Sequence, residues 1–185
     1  MALDVELYRR TIYAPVGTHA KKLRRLSVID INPEGIPSGG QITPHTLIFI
    51  HGYGGNALQW IYQLRYFGQF MRVIAPDWRG HGLSDDPQEL AYSMEGLVND
   101  VELLVDELQV QRPFYLIGHS FGGAIASEYT LRYPENVRGL VLIGVPTRFI
   151  LHSIVRRLMN VPDPIFSFLA KRLKIALYAP QRTLK

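Results

Sequence analysis

The sequence predicts an α/β fold, a mainly parallel sheet with helices on both faces. Three observations predict it: four short runs that are almost wholly apolar, three amphipathic stretches, and turn-forming residues at the junctions between them.

The apolar runs are 46–50 (TLIFI), 72–75 (RVIA), 114–117 (FYLI) and 140–145 (LVLIGV). A strand with one wet face alternates apolar and polar residues, whereas a strand buried on both faces reads as a continuous run. Residues 5–13 and 23–31 precede these, are rich in β-formers and are separated by Pro15 and Gly17. They predict an antiparallel hairpin at the sheet edge, followed by a loop over 32–44 punctuated by proline and glycine. A helix is expected over 57–70 behind Asn56, with Ala57, Trp60, Ile61, Leu64 and Phe67 on one side. A second is expected over 94–109, where Met94, Leu97, Val98, Val101, Leu104, Val105 and Leu108 form one apolar stripe and Ser93 serves as N-cap. A third opens after Ser120 and ends near Tyr133, because Pro134 cannot continue it. Strands and helices thus alternate from 46 to 145, the pattern of βαβ crossovers.

With 185 residues, 47% of them hydrophobic and 19% charged, the chain is long and apolar enough for a core without staples, and disordered, fibrous and coiled-coil classes are excluded. The sequence contains no cysteine, which removes disulfide frameworks, thiolate metal sites and cysteine nucleophiles and fits a cytoplasmic location. No metal or organic cofactor is expected. The N-terminus lacks the pattern of a secretory signal, and no run of 18 apolar residues is present. The net charge of +4 is unevenly placed: residues 1–146 hold 12 Lys and Arg against 15 Asp and Glu, and residues 147–185 hold 8 against 1. Basicity confined to the last segment argues against a nucleic-acid partner for the predicted sheet.

Residues 118–123 read GHSFGG, a G-x-S-x-G pattern at the end of one predicted strand and the start of a predicted helix. A sharp strand-to-helix turn holds Ser120 in a strained conformation, and glycines two before and two after let the chains pass without Cβ collisions. The helix beginning there turns its positive dipole end and free N–H groups toward the same spot. Residues 51–55 (HGYGG) follow the strand 46–50, and glycines there let the backbone approach, so that the Tyr53 and Phe121 N–H groups could bind a tetrahedral oxyanion together. Losing one such donor costs about 3–4 kcal/mol of transition-state stabilisation.

With DWRGHGLSD at 77–85 after the strand 72–75, the three motifs stand in an order that resembles the N-terminal part of an α/β-hydrolase fold protein, over roughly residues 40–146. The resemblance implies that Ser120 is the nucleophile. Serine, where dehalogenase and epoxide-hydrolase relatives place aspartate, implies acyl chemistry on a small ester, thioester, amide or carbon–carbon substrate. It also implies a triad in the order serine, acid, histidine. After Ser120 the acids are Glu128, Glu135 and Asp163, the histidine is His152, and the position after 140–145 reads Pro146, Thr147, Arg148. None suits the role, so the expected reading is a partial core over 1–146, truncated before the last two strands, with the start of a helical lid or cap over 147–185. The alternative is a catalytically incomplete fragment or ligand-binding scaffold that lacks the triad acid and histidine. His51 is expected to buttress its loop, His81 and His119 to be structural, and Asp77 and Arg79 to lock the turn that carries them. The lid would set Phe149, Leu151, Ile154, Leu158 and Phe166 toward an apolar acyl group. Its Lys and Arg are read as a solvated outer face in preference to a membrane contact.

Overall fold

The computed structural model describes residues 3–15, 23–33, 44–85 and 92–145. The expected lid at 147–185, most of the loop over 32–44 and the tip of the hairpin lie outside the described residues.

Six strands form one sheet in the order β1-β2-β4-β3-β5-β6: Arg9–Pro15, Leu23–Ile31, Thr46–Ile50, Arg72–Pro76, Phe114–His119 and Val137–Ile143 for β1 to β6 in chain order. β1 and β2 pair antiparallel at one edge, with Arg9 opposite Ile29, and β2 runs antiparallel to β4. The pairs β3–β4, β3–β5 and β5–β6 are parallel. The helices are α1 (Ile61–Phe67), α2 (Met94–Glu107) and α3 (Phe121–Arg132).

The continuous apolar runs are explained by two cores. Val28, Ile48, Ile50, Ile74 and Leu116 pack with α2 and α3, while their neighbours Ile29, Phe49, Val73, Ala75 and Ile117 pack with Trp60 and Leu64 on the other face. Successive strand residues point to opposite faces, so both faces are covered only if every position is apolar.

Four of the boundaries that differ from the sequence reading have a visible local cause. Residues Val5–Tyr8 form a 3-10 turn, capped by the Asp4 side chain, which accepts the Glu6 N–H, and β1 starts only at Arg9. The helix expected over 57–70 opens with a 3-10 turn at Ala57–Trp60, because Asn56 takes the Leu58 N–H while the Ala57 N–H goes to Asp77. α2 stops at Glu107, where Gln109 adopts φ 50° and Val110 and Gln109 donate back to Val105 and Asp106, a Schellman closure. β6 begins at Val137, because Val137 and Gly139 pair with Phe114 and Tyr115 of β5, and Arg138 sits at the register irregularity between them. Among the described residues no helix is long and apolar enough to cross a membrane.

The hairpin and α2 are joined by buried charge. Asp100 of α2 accepts from Arg79 Nε and Nη2, both at 2.7 Å, and from Arg24 Nη2 of β2 at 2.5 Å, with all three side chains buried. One carboxylate here holds two guanidinium groups out of water. Removing it leaves two buried like charges facing each other, a loss of about 3–5 kcal/mol. Asp100→Ala is therefore expected to lower the unfolding free energy by about that amount in urea titration, and a loss below 1 kcal/mol would show that water reaches the cluster.

Candidate active site

Strand order reverses at β3: the chain leaves it to β4 on one side and returns to β5 on the other. The loops after β3, β4 and β5 therefore converge at the carboxyl ends of the strands, the place where open α/β sheets take ligands. These loops carry the three motifs.

A single residue, Ser120, separates β5 from α3, and its backbone sits at φ 51° and ψ −119°. A left-handed φ in a residue with a Cβ costs about 1–3 kcal/mol and persists only where the surroundings enforce it. Here the Ser120 N–H donates to the Ile143 carbonyl of β6 at 2.9 Å, and the Ser120 carbonyl accepts the Gly123 N–H at 3.0 Å. The glycine spacing has the steric cause expected of it. A Cβ on Gly118 would lie 2.5 Å from Gly123 Cα, and one on Gly122 would lie 2.4 Å from the His51 carbonyl oxygen and 2.5 Å from that of Ile50. Phe121 opens α3, so its N–H has no carbonyl one turn back within the helix.

The turn after β3 closes through the Gly55 N–H, which donates to Gly52 O at 3.0 Å, with Gly54 at φ 73° in the left-handed third position. Gly52 lies against the elbow: a Cβ there would stand 3.3 Å from the Ser120 Cβ and 2.9 Å from His119 Nδ1. The Tyr53 ring is 70% exposed and stands edge-on between the rings of His81 and Phe121, at 5.6 and 6.4 Å. Of the three expected site residues, Ser120 and Phe121 thus adjoin in the elbow, and Tyr53 reaches Phe121 across the mouth.

His51 is buried and both ring nitrogens are engaged. Nδ1–H donates to Gly52 O at 2.8 Å and Nε2 accepts the Trp78 N–H at 3.3 Å, which assigns the neutral Nδ1–H tautomer. The C=O and N–H of a trans peptide point in opposite directions. By holding Gly52 O, His51 therefore fixes the plane that carries the Tyr53 N–H.

The loop at 77–85 is built around Asp77, whose carboxylate accepts from Ala57 N–H at 2.7 Å, Leu83 N–H at 3.0 Å and Arg9 Nη1 at 2.9 Å. Gly82, at φ 55°, leaves room for it: a Cβ there would stand 2.3 Å from Asp77 Cγ. Arg79 reaches away to Asp100 and to Gly96 O. Asp77 and Arg79 thus lock the loop, as the sequence reading has it. His81, read as merely structural, takes the Gly54 N–H on Nε2 at 3.1 Å and so touches the glycine turn itself. Nothing in the sequence spacing signals that bond or the partnership of Arg79 with Asp100. Among the described residues no group of three or more His, Asp or Glu side chains converges on a metal-sized site.

Burial pushes the His51 ring from the ordinary 6.5 down to about 4, with His81 adding to the effect and Gly52 O and Asp77 opposing it. Above pH 6.5 the ring is neutral folded and unfolded, and it contributes nothing to the pH dependence. Between 6.5 and about 4 the unfolded chain takes up a proton that the folded ring refuses, so stability falls with pH, by about 3 kcal/mol at pH 4 from this group alone. The expected signature is an unfolding free energy that declines over that window, together with a His51 Cε1–H resonance that starts to titrate only near its lower end. Titration of that resonance near 6.5 would count against a buried neutral ring.

The family model described as alpha/beta hydrolase fold matches residues 45–175. Epoxide hydrolase 3 of Xenopus tropicalis is 33% identical over 133 residues, which is 71% of this chain and 35% of that protein. Among solved structures, a probable hydrolytic enzyme from Pseudomonas aeruginosa PAO1 superposes with a TM-score of 0.63 at 26% identity, covering 88% of this chain and 53% of its own. An esterase from Exiguobacterium antarcticum superposes with a TM-score of 0.57 at 28% identity, covering 68% and 43%. The chain thus spans from about a third to about half the length of these relatives. With the family model matching most of its length, and an elbow, a glycine turn and a parallel sheet in the corresponding order, the chain belongs to the alpha/beta hydrolase fold family.

Proposed function

We propose that the protein hydrolyses a carboxylic ester or related small acyl substrate through an acyl-Ser120 intermediate, with the Tyr53 and Phe121 N–H groups as donors to the oxyanion. The observation that carries this reading is the backbone of Ser120, held at φ 51° on the first turn of α3. That conformation lifts the hydroxyl clear of both the strand and the helix, and the helix end favours the negative charge that develops beside it. In the proposed reaction Ser120 Oγ bonds to the carbonyl carbon and its proton passes to a base. The bond to the leaving group then breaks as the base returns that proton to the departing oxygen, and water releases the acid in a second, mirrored step that restores the Ser120 hydroxyl. The esterase among the relatives supports an ester substrate. The epoxide hydrolase name supports hydrolysis more broadly, and the serine at position 120 separates this chain from the aspartate chemistry that the resemblance assigns to such relatives.

The base is neither His51 nor His81, because each spends both ring nitrogens on the loops. That observation also favours the second reading, a scaffold that binds acyl ligands without turning them over. In either reading residues 147–185 are proposed as the start of a helical lid or cap segment.

A fluorophosphonate probe separates the two. The proposal expects covalent labelling at Ser120, abolished in Ser120→Ala, at a rate well above that of free serine. An unlabelled wild-type chain would leave the binding-scaffold reading in place.

A further inference from the structure

The 77–85 loop grips the glycine turn at three points. Ala57 N–H donates to Asp77 Oδ1 just beyond the turn, Trp78 N–H donates to His51 Nε2 before it, and Gly54 N–H donates to His81 Nε2 within it. Only the third contact is made by a side chain to the turn's own backbone. His81 is itself oriented, because its Nδ1 lies 3.0 Å from the Arg79 carbonyl, an acceptor that requires the proton on Nδ1 and leaves the lone pair on Nε2 for Gly54. The Arg79 side chain is in turn pinned to Asp100 and Gly96 of α2. A continuous chain of bonds therefore runs from α2 through Arg79 and His81 to the Tyr53–Gly54 peptide, the one that follows the amide proposed as oxyanion donor. The turn needs such a hold. A Cβ on Gly54 would meet no atom within 4 Å, and Tyr53 and Gly54 are both exposed, so beyond the edge-on contacts of the Tyr53 ring with His81 and Phe121 little packing holds the turn.

We propose that His81 is a positioning residue for the oxyanion site: it holds the 52–55 turn through Gly54 so that the Tyr53 N–H stays aimed at the charge developing beside Ser120. This rests on the acyl-Ser120 reading above. His51 sets the Gly52–Tyr53 plane from one side and His81 sets the Tyr53–Gly54 plane from the other, so the Tyr53 residue is clamped at both of its peptides. An oxyanion donor contributes only when preorganised, and an exposed turn that swings on one hinge spreads that donor over many directions.

Two substitutions separate the roles of the ring nitrogens. Asn places a polar atom near the Nδ1 position, keeping a donor for Arg79 O but losing the acceptor for Gly54. Gln reaches the Nε2 position, offering Gly54 an acceptor while giving up the Arg79 bond. Fluorophosphonate labelling of Ser120 in His81→Asn is expected to slow by about ten-fold or more in the maximal rate, with the half-saturating probe concentration little changed. His81→Gln is expected to lose markedly less. In the wild-type protein, amide exchange should be slower at Gly54 than at the neighbouring Tyr53, and that difference should vanish in His81→Asn. Equal labelling rates in wild type and His81→Asn, or a larger loss in His81→Gln, overturns the positioning role while leaving the Ser120 reading intact. Rapid Gly54 exchange in wild type overturns it even where a variant fails to fold. A wild-type chain that never labels overturns the reading beneath it, and the positioning role of His81 falls with it.

Discussion

Backbone lies against backbone where the first turn of α3 meets the end of β3, and Gly122 permits it. Its Cα faces the carbonyls of Ile50 and His51 so closely that no side chain fits between them. Because Ile50 also pairs with Gly118 across the sheet, the end of β3, the end of β5 and the start of α3 are held as one unit. The consequence reaches two residues in either direction. Ser120 is left with a left-handed backbone as its route from strand to helix, and Gly52 is brought against the Ser120 Cβ. The geometry of the elbow at Ser120 and of the turn beside it therefore follows from one steric constraint and not from a polar contact between them.

The second constraint is electrostatic. Asp77 gathers two amide donors and one guanidinium, and Asp100 gathers two guanidiniums. Such groups add little net stability compared with apolar packing of the same volume, since desolvation offsets most of the attraction. What they supply is direction. Each carboxylate joins parts of the chain far apart in sequence: Arg9, Ala57 and Leu83 around Asp77, and Arg24 and Arg79 around Asp100. A loop of nine residues with glycines at 80 and 82 would otherwise have many conformations. With Asp77 at one end and Arg79 drawn to α2, it becomes a mould into which the glycine turn is set through His51 and His81.

The strands were legible because burial on both faces forces continuous apolar runs, and the helices because Asn56, Ser93 and Pro134 mark their ends. The start of β6 was not legible, since Val137 and Gly139 join the ladder through their backbone with Arg138 at an irregularity between them, and nothing in the side chains of Arg138 and Gly139 announces a strand. The 3-10 turn at Val5–Tyr8 was hidden for the converse reason: its residues are good strand formers overruled by the Asp4 cap. At the site, the glycine spacing disclosed the elbow because it is a local steric necessity. The buttressing by His51 is legible from its place in a glycine-rich turn, and the ring bonds Gly52 O and the Trp78 N–H. His81 and Asp100 were opaque, because their roles depend on which chain segments the fold brings beside them.

The relative with 33% identity bears the name of an epoxide hydrolase, yet identity spread over 133 residues reports mainly on the frame. Gly118, Gly122, the strained residue between them and the helix end serve any nucleophile placed at the elbow. A carboxylate there carries its own charge and its own lone pairs and needs no base to attack. A hydroxyl at the same point must lose a proton, and the carbonyl it attacks must become an oxyanion. For the attack proposed for Ser120 a proton acceptor is needed that attack by a carboxylate does not need, whereas N–H donors serve the tetrahedral oxyanion that forms when either ester intermediate is hydrolysed. Around the proposed donor, His51 holds Gly52 O and His81 holds the Gly54 N–H, one on each peptide of Tyr53. Those histidines are barred from accepting the proton by the same hydrogen bonds that make them useful.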